Sequence, residues 1–515
     1  MSDAIELPHG WAKTRVDAIV QLVNGFAFKP TQWKSEGLPI IRIQNLNNPD
    51  ASFNYCPENL PDKIRVRNGD LLFAWSGTPG TSFGAHIWRG DDAWLNQHIF
   101  KVLFHREHLD VRFLRLAINQ NLDSYIRQAH GGAGLAHITK GRFEESELYI
   151  APLNEQSRIV AKIEELFSDL DAGVAALKRA KANLKRYRAS VLKAAVEGKL
   201  TEQWRAKHPA IEPASALLAR ILLERRQKWE ADQLAKFAAA KKESPKNWRD
   251  KYVEPTPPDT TGLPELPEGW CWATLDQLLN YLRNGYFQSP TGADSGTPIL
   301  RINAVRPMKV DLAESRFLNE IEGSVDDHFI ENGDLLFTRY NGSVDLLGVA
   351  GMVRGCTEKV LHPDKLIRVK LILGEPLPSF IEVAANIGES RKHMVGRART
   401  TAGQKGVSGP DVREMPIPLP PLAEQACINT EVATKLSQID AAEKQIEHGL
   451  LRAARLRQSI LKRAFEGKLV PQDPKDEPAS ALLERLRTSR TIHEGSGNRP
   501  SSSIPRRSKS RGKKS

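Results

Sequence analysis

The chain has 515 residues, more than one hydrophobic core ordinarily organises, so two domains plus connecting elements are expected. Lys and Arg outnumber Asp and Glu by 74 to 62, and the resulting net charge of +12 suits a polyanionic partner. Cys56, Cys271, Cys356 and Cys427 are far apart without CxxC spacing, which argues against a disulfide framework or zinc site and for a reducing cytoplasm. No leader is read at 1–10 and no run of 18 apolar residues occurs, so a cytoplasmic chain without membrane contact is expected.

In chain order, residues 1–150 read as a strand-rich module. It opens with Leu7-Pro8-His9-Gly10-Trp11, and Ile40 to Ile43 and Leu71 to Ala74 are strands punctuated by Gly, Pro and Asn. Asn68-Gly69 before the second strand is a turn signal. The spacing predicts a helix over 112–129, a Gly-rich polar loop over 130–142 with a turn at Gly131-Gly132-Ala133-Gly134, and a last strand at Leu148 to Ile150. His105-Arg106-Glu107-His108 lacks a third ligand and reads as an exposed loop or helix end.

Residues 151–201 form a long helix, with Ile163, Leu166, Leu170, Val174, Leu177, Ala180, Leu184, Tyr187 and Val191 spaced by threes and fours as a coiled-coil-like seam. It stops at Gly198. The span 202–262 is a helical connector and Pro-rich linker, helical from 213 to about 242. A second module fills 263–418, with a helix at 379–396, a polar loop at 401–411 and a strand at Met415 to Leu419. A second long helix follows at 419–470, with a seam of Ile428, Val432, Leu436, Ile439, Ala442, Ile446, Leu450, Ala453 and Ile460. Residues 471–515 read as a short helix and a basic disordered tail carrying Arg499, Arg506, Arg507, Lys509, Arg511, Lys513 and Lys514, either solubilising or touching phosphates.

The two halves are copies. LPHGW at 7 returns as LPEGW at 266, and the hexapeptide NGDLLF at 68 returns unchanged at 332. PLNEQ at 152 returns as PLAEQ at 421, EGKL at 197 returns at 466, and EPASALL at 212 returns at 477. Such ordered matches make the fold an α+β chain: two strand-rich α/β domains separated by two long antiparallel helices forming a coiled-coil spacer, with an internal pseudo-two-fold duplication. Each helix already has a partner of matching length in the same chain, which favours pairing within the monomer over dimerisation between chains. Some 45 residues at about 1.5 Å each span roughly 65 Å, near two turns of B-DNA.

No Gly-rich cofactor loop, GxxxxGK[ST] loop or nuclease carboxylate cluster is present in the sequence, and Asp334 beside Asn332-Gly333 reads as turn chemistry. The modules instead offer polar loops on a strand scaffold: Arg42-Ile43-Gln44-Asn45, Arg301-Ile302-Asn303, the Ser76 loop and Arg339-Tyr340-Asn341. Arg, Asn and Gln are the side chains that pair bidentately with guanine and adenine edges.

The duplicated NGDLLF, the PLxEQ helix starts and the helix ends VLKAAVEGKLTEQWR at 191 and ILKRAFEGKL at 460 resemble the specificity subunits of type I restriction-modification enzymes. LLFTRYNGS at 335, HPDKLIR at 362 and TTAGQKGVSG at 400 also resemble a target-recognition domain pattern of that family, while AWSGT and GGAGLAHITKG match more loosely. The resemblance implies two target-recognition domains reading the halves of a bipartite, asymmetric double-stranded DNA site. The helices, its central and C-terminal conserved regions, would fix the gap between the halves.

The resemblance further implies docking of two methyltransferase subunits and two restriction/translocase subunits. S-adenosylmethionine, ATP and Mg2+ would belong to those partners, with no cofactor and no catalytic residue on this chain. Adenine methylation would require the base to be flipped into the partner's pocket. The residues it singles out for DNA binding are Arg339, Tyr340, Asn341, Ser343, Gln404 and Lys405 in the second module and Ser76, Thr78, His137 and Lys140 in the first. Arg42, Gln44 and Arg301 are secondary, since an Arg flanked by Ile on a strand can instead pair with a carboxylate. The competing readings are a stand-alone bipartite DNA-binding regulator and a coiled-coil scaffold.

Overall fold

The structure, a computed structural model, describes residues 7–48, 50–78, 81–122, 125–126, 136–289, 295–401 and 404–495. The turn expected at Gly131 to Gly134 and the basic tail from Arg499 to Lys514 lie outside the described residues. Two compact units are formed, one from Met1–Leu177 with His448–Ser515 and the other from Lys178–Glu447.

In the first unit a four-stranded antiparallel sheet runs in the order Gln21–Asn24, Ile99–Leu103, Leu71–Ala74, Gly84–Ile87. The central strand Leu71–Ala74 is buried on both faces: Leu71 and Phe73 join one apolar cluster, Leu72 and Ala74 another. A strand covered on both sides reads as a continuous apolar run rather than an alternating one, which is why NGDLLF ends as it does. Gly69 takes φ +87°, and Asp70 accepts from the Arg67 amide at 2.8 Å while pairing with Lys101 on the neighbouring strand at 2.8 Å. The helix Val111–Gln120 packs on the sheet, its amide ends capped by the Asp110 carboxylate. A second four-stranded sheet joins Asn54–Cys56, Leu38–Ile41, Ala93–Leu95 and Arg65–Val66.

The second unit repeats the main sheet as Leu279–Asn284, Leu366–Leu371, Leu335–Thr338, Ala350–Met352. Asp334 is more than turn chemistry: it is 1% exposed, accepts from the Glu331 amide at 2.6 Å and pairs with the buried Arg368 at 2.7 Å. Several local expectations are corrected. The strand begun at Leu38 stops at Ile41, because the Asn45 side chain accepts from the Arg42 amide and turns Ile43–Asn47 into a short helix. The helix expected at 379–396 is two helices, Leu377–Asn386 and Gly388–Gly396, broken where Ile387 is extended and Gly388 takes φ +65°. Of the helix expected at 112–129, Val111–Gln120 is formed, and residues 123–124 and 127–129 lie outside the described residues.

The long helices are Leu153–Val196 and Leu422–Phe465. In the first unit Arg457 pairs with Asp171 and lies 4.2 Å over the Phe167 ring, and in the second Lys181 meets Glu447 at 2.8 Å and Arg188 meets Glu443 at 3.2 Å. Low numbers meet high ones, so the segments within each unit run antiparallel. Of the seam residues, Ile163, Val191, Ile428, Val432, Ile439, Ile446, Ala453 and Ile460 are buried. Tyr187 is not: it is 49% exposed, and Arg188 next to it makes the interhelical contact instead.

The repeated motifs meet in each unit. In the first, the Trp11 indole donates to Glu155 at 3.1 Å, a Cβ on Gly467 would lie 2.4 Å from Pro8, and the Ala479 amide donates to the Gly10 carbonyl at 2.8 Å. In the second, Trp270 donates to Glu424 at 2.9 Å, a Cβ on Gly198 would lie 2.6 Å from Pro267, and the Ala214 amide donates to Gly269 at 2.8 Å. The short helices that follow, Ala479–Gly495 and Ala214–Ala239, bury Leu482, Leu483 and Leu486 in the first core and Leu217 and Ile221 in the second.

The two joints differ in charge. Glu424 is fully buried and also accepts from Thr201 at 2.7 Å and Arg205 at 2.6 Å. Among the described residues no such cation is bonded to Glu155, and burial pushes its carboxyl above the usual range. Glu424→Gln is therefore expected to cost about 3 kcal/mol, because Arg205 loses its charged partner, whereas Glu155→Gln keeps the indole acceptor and stays within about 1 kcal/mol. Since the native state holds the Glu155 proton more tightly than the unfolded chain does, that group favours folding at acid pH and the contribution is lost as pH rises through its folded pKa. Urea unfolding of both variants checks the two costs, and repeating it with Glu155→Gln at acid and neutral pH should show that fall flattened.

Candidate nucleic-acid interface

Each central strand delivers the chain into a short two-stranded ribbon. In the second unit the strand Leu335–Thr338 ends at a residue whose hydroxyl donates to the Leu346 carbonyl and accepts from the Val349 amide at 3.2 Å. The chain then enters Tyr340–Asn341, which pairs antiparallel with Gln404–Gly406 as Tyr340 opposite Gly406 and Asn341 opposite Lys405. A third strand, Arg399–Thr401, lies on the far side of Gln404–Gly406.

The Tyr340 ring lies against the Gly406 backbone, where a Cβ would come within 2.7 Å of ring carbons. Two cations stand over the ring, the Arg339 guanidinium at 4.8 Å and the Lys365 ammonium at 5.4 Å. Arg339 is held further by its Nη1, which donates to the Asp364 carbonyl at 3.4 Å. Asn341 turns its carbonyl oxygen to the Ser343 amide at 3.0 Å. Beyond it, Arg391 from the helix Gly388–Gly396 donates to the carbonyls of Val344 at 3.0 Å, Asp345 at 2.9 Å and Leu347. The polar residues of this loop are thereby given a fixed frame, with Ser343 and Lys405 exposed.

The first unit builds the same ribbon from different residues. Ser76–Gly77 pairs with Ala136–His137, Ser76 opposite His137. The Ile138 amide donates to the Trp75 carbonyl at 3.0 Å, as the Val407 amide does to Arg339 at 2.9 Å. Where the second unit opposes a large Tyr340 to Gly406, the first opposes Ser76 to the imidazole of His137, whose ring lies 4.6 Å from Trp75. Trp75 also touches His98 at 5.3 Å and donates its indole hydrogen to the Gln97 carbonyl at 3.2 Å. Burial first, then the neighbouring His137, holds the His98 imidazole below the usual range.

The sequence-predicted residues thus fall into two groups. Arg339, Tyr340, Asn341, Ser343, Gln404 and Lys405 are gathered on one ribbon, the Gln404 side chain lying outside the described part of the structure. Ser76 and His137 face each other on the other ribbon, with Thr78 just past it; Ser76 is only 8% exposed, and the Thr78 amide is tied to the Ser82 hydroxyl at 3.0 Å. Lys140 opens the next helix, Lys140–Glu144, and reaches the Leu22 carbonyl at 3.3 Å and Glu144 at 3.5 Å.

Arg42, Gln44 and Arg301 are not brought to the ribbons by any bond or ring contact among the described residues. Arg42 stands 5.5 Å over the Trp33 ring, and Gln44 reaches the Ser52 carbonyl at 3.4 Å. Arg301 pairs with Glu314 at 3.1 Å, the carboxylate alternative raised for it. Sequence reasoning passed over Trp75, Lys365, Gly406 and Arg391. Trp75, Lys365 and Gly406 lay inside quoted motifs without being singled out, and nothing local marks Arg391 as a clamp on a loop 44 residues away. Among the described residues no group of His, Cys, Asp and Glu is placed to hold a metal ion.

A family model for the type I restriction modification DNA specificity domain matches residues 8–180. The chain is 30% identical over 512 residues to the type I restriction enzyme EcoKI specificity subunit of Escherichia coli (strain K12), covering 95% of this chain and 97% of that one. It is 25% identical over 505 residues to the EcoBI specificity subunit of Escherichia coli, covering 95% and 94%. A chain from a solved structure concerned with complex assembly and conformational transition of the type I R-M system shares the fold, with a TM-score of 0.56 at 17% identity over 90% of this chain and 100% of that one.

The tight seat of Tyr340 yields a direct check. Gly406→Val places a branched side chain where the ring now lies and is expected to cost about 1–3 kcal/mol. Tyr340→Ala in the same background should recover most of that loss in urea unfolding, since it removes the group that is struck.

Proposed function

The chain belongs to the type I restriction enzyme specificity subunits, and from that premise we propose how its two units divide the reading of DNA. It is a non-catalytic, DNA-specificity subunit of a type I restriction-modification system. Residues 1–150 and 263–418 act as the two target-recognition domains, each reading one half of a bipartite, asymmetric duplex site. The observation that carries this reading is the ribbon that recurs off the end of the same buried strand in both units, with its side chains exchanged. A repeated frame with different polar side chains is what two readers of different base sequences require.

In the second domain Arg339, Tyr340, Asn341, Ser343, Gln404 and Lys405 meet base edges and the adjoining backbone. Ser76, Thr78, His137 and Lys140 do so in the first, with Arg42, Gln44 and Arg301 in supporting places. The stacked cations over Tyr340 favour this role, because a guanidinium held against a ring keeps its donor fork oriented for the O6 and N7 of a guanine. The helices Leu153–Val196 and Leu422–Phe465 present pseudo-equivalent faces to two methyltransferase subunits, and two restriction/translocase subunits join for restriction. S-adenosylmethionine, ATP and Mg2+ are used by those partners in the cytoplasm.

Methylome sequencing of the host with and without this gene tests the reading. A split adenine-methylation motif that disappears on deletion is expected, and an unchanged methylome overturns it. Within that motif, Arg339→Ala should relax one base of one half by about 1–3 kcal/mol and leave the other half intact. A uniform loss on all sequences, with a shallower salt dependence, would make Arg339 a phosphate contact instead.

A further inference from the structure

The duplication supplies an internal control for one cavity. In the second unit Asn386 clamps Ala350 through both backbone groups, and in the first Asn119 clamps Ala85 in the same way. Counting four residues on from each alanine and four back from each asparagine makes Arg89 the equivalent of Arg354, and Arg115 the equivalent of Glu382. In the second unit these two form an ion pair between a buried acid and a half-exposed arginine: Glu382, 1% exposed, accepts from Arg354 at 3.1 Å and 2.5 Å and from the Met352 amide at 2.7 Å.

In the first unit the carboxylate is replaced by a second guanidinium. Neither Arg89 nor Arg115 has a hydrogen bond or ion pair to any described residue, and the buried Arg115 Nε has no acceptor. Burial first, and the charge of Arg89 second, disfavour the Arg115 proton. Glu164 is near enough to act on Arg115, but its carboxylate is bonded to Arg112 at 3.1 Å.

The two arginines border a cavity of about 780 Å³, the size that small ligands occupy. Phe53, Tyr55 and Trp88 form its aromatic wall, Phe53 and Trp88 edge to face at 6.3 Å. His86, which also lines it, is engaged with the Ser82 carbonyl at 3.0 Å, and burial holds its imidazole below the usual range. Of the acids at the rim, Asp92 is taken by Arg65 at 2.7 Å, and Asp91 is exposed to solvent. The strand register places Leu71 opposite Ile87 and Ala74 opposite Gly84, so the cavity lies at the end of the central strand remote from Ser76 and the ribbon.

We propose that this cavity is a binding site for a small aromatic oxyanion of the nucleoside monophosphate class, its phosphate held between Arg89 and Arg115 and its ring against Trp88 and Phe53. The phosphate supplies the negative charge that Glu382 supplies in the second unit, and two guanidiniums in fork geometry suit it. The aromatic wall gives the ring an apolar seat that inorganic phosphate cannot use. This site is separate from the base-reading ribbons and does not depend on them.

Calorimetric titration of the full-length protein with AMP, adenosine and inorganic phosphate tests the proposal. AMP is expected to bind at least about tenfold more tightly than either fragment. Arg89→Ala, at an exposed position, should weaken AMP by at least about tenfold. Arg115→Glu should abolish binding and raise the melting temperature by about 2–4 °C, because it recreates with Arg89 the pair seen at Arg354 and Glu382. Absence of AMP binding at millimolar concentration, equal binding of AMP and phosphate, or full binding by Arg89→Ala would each overturn it. Displacement of AMP by a random duplex would reassign the arginines to backbone phosphates and overturn it as well.

Discussion

In each unit an indole donates one buried hydrogen bond to a carboxylate in the first turn of a long helix, Trp11 to Glu155 and Trp270 to Glu424. Four of the repeated motifs converge on that bond. The Pro-Leu-x-Glu-Gln start places the acid, and its glutamine turns back to cap the preceding carbonyl, Gln156 to Ala151 and Gln425 to Pro420, each at 2.9 Å. The Leu-Pro-x-Gly-Trp segment brings the indole, with Gly10 and Gly269 at positive φ so that the chain can turn onto the helix. The end of the antiparallel helix segment then closes the joint, because only a glycine at 467 or 198 leaves room for Pro8 or Pro267. A buried carboxylate without these partners would cost several kcal/mol, so the four motifs stand or fall together.

The joint explains how a helix is handed from one copy of the sequence to the other unit. Leu153–Val196 begins at the first joint and ends at the second, where Gly198 and Ala214 are held; Leu422–Phe465 does the reverse, ending at Gly467 and Ala479. Within each unit the two helix segments run antiparallel. Cross-helix ion pairs such as Arg188 with Glu443 add to it, yet exposed pairs contribute little, and the apolar seam carries more of the association.

The joints, the seams and the NGDLLF strand were legible in the sequence because each is written locally, as a motif, a period or a turn. Asn-Gly announced the turn at 68 and 332, but the burial of Asp334 against Arg368 was not visible, since the partner arrives from a strand 34 residues later. The ribbons were missed for the same reason. Two- and three-residue strands such as Tyr340–Asn341 and Gln404–Gly406 are too short to show a period, and their pairing spans more than 60 residues. Polar composition marked the loops around Ser76 and Arg339, whereas what orients them, Trp75 in one unit and Arg391 in the other, carries no local signature. Tyr187 shows the converse failure: its spacing fits the seam, but in the folded helix a charged neighbour takes the contact.

Comparison of the two units also distinguishes kinds of divergence. On the ribbons the cross-strand pair has changed at both positions, Tyr340 with Gly406 against Ser76 with His137, so a large ring always faces a small or polar partner and the frame survives. At the strand the pair has changed at one position without loss of charge balance, Arg368 becoming Lys101 opposite the same acid. The Asn-clamped helix breaks this pattern. There the acid of an ion pair has become a second arginine while its partner has stayed an arginine, and among the described residues no carboxylate is bonded to either one. Packing and folding give no reason to set a second guanidinium beside the partly buried Arg115 at an aromatic cavity, because like charges side by side oppose the native state. A bound anion gives one, and that is why this departure, unlike the others, points outside the chain.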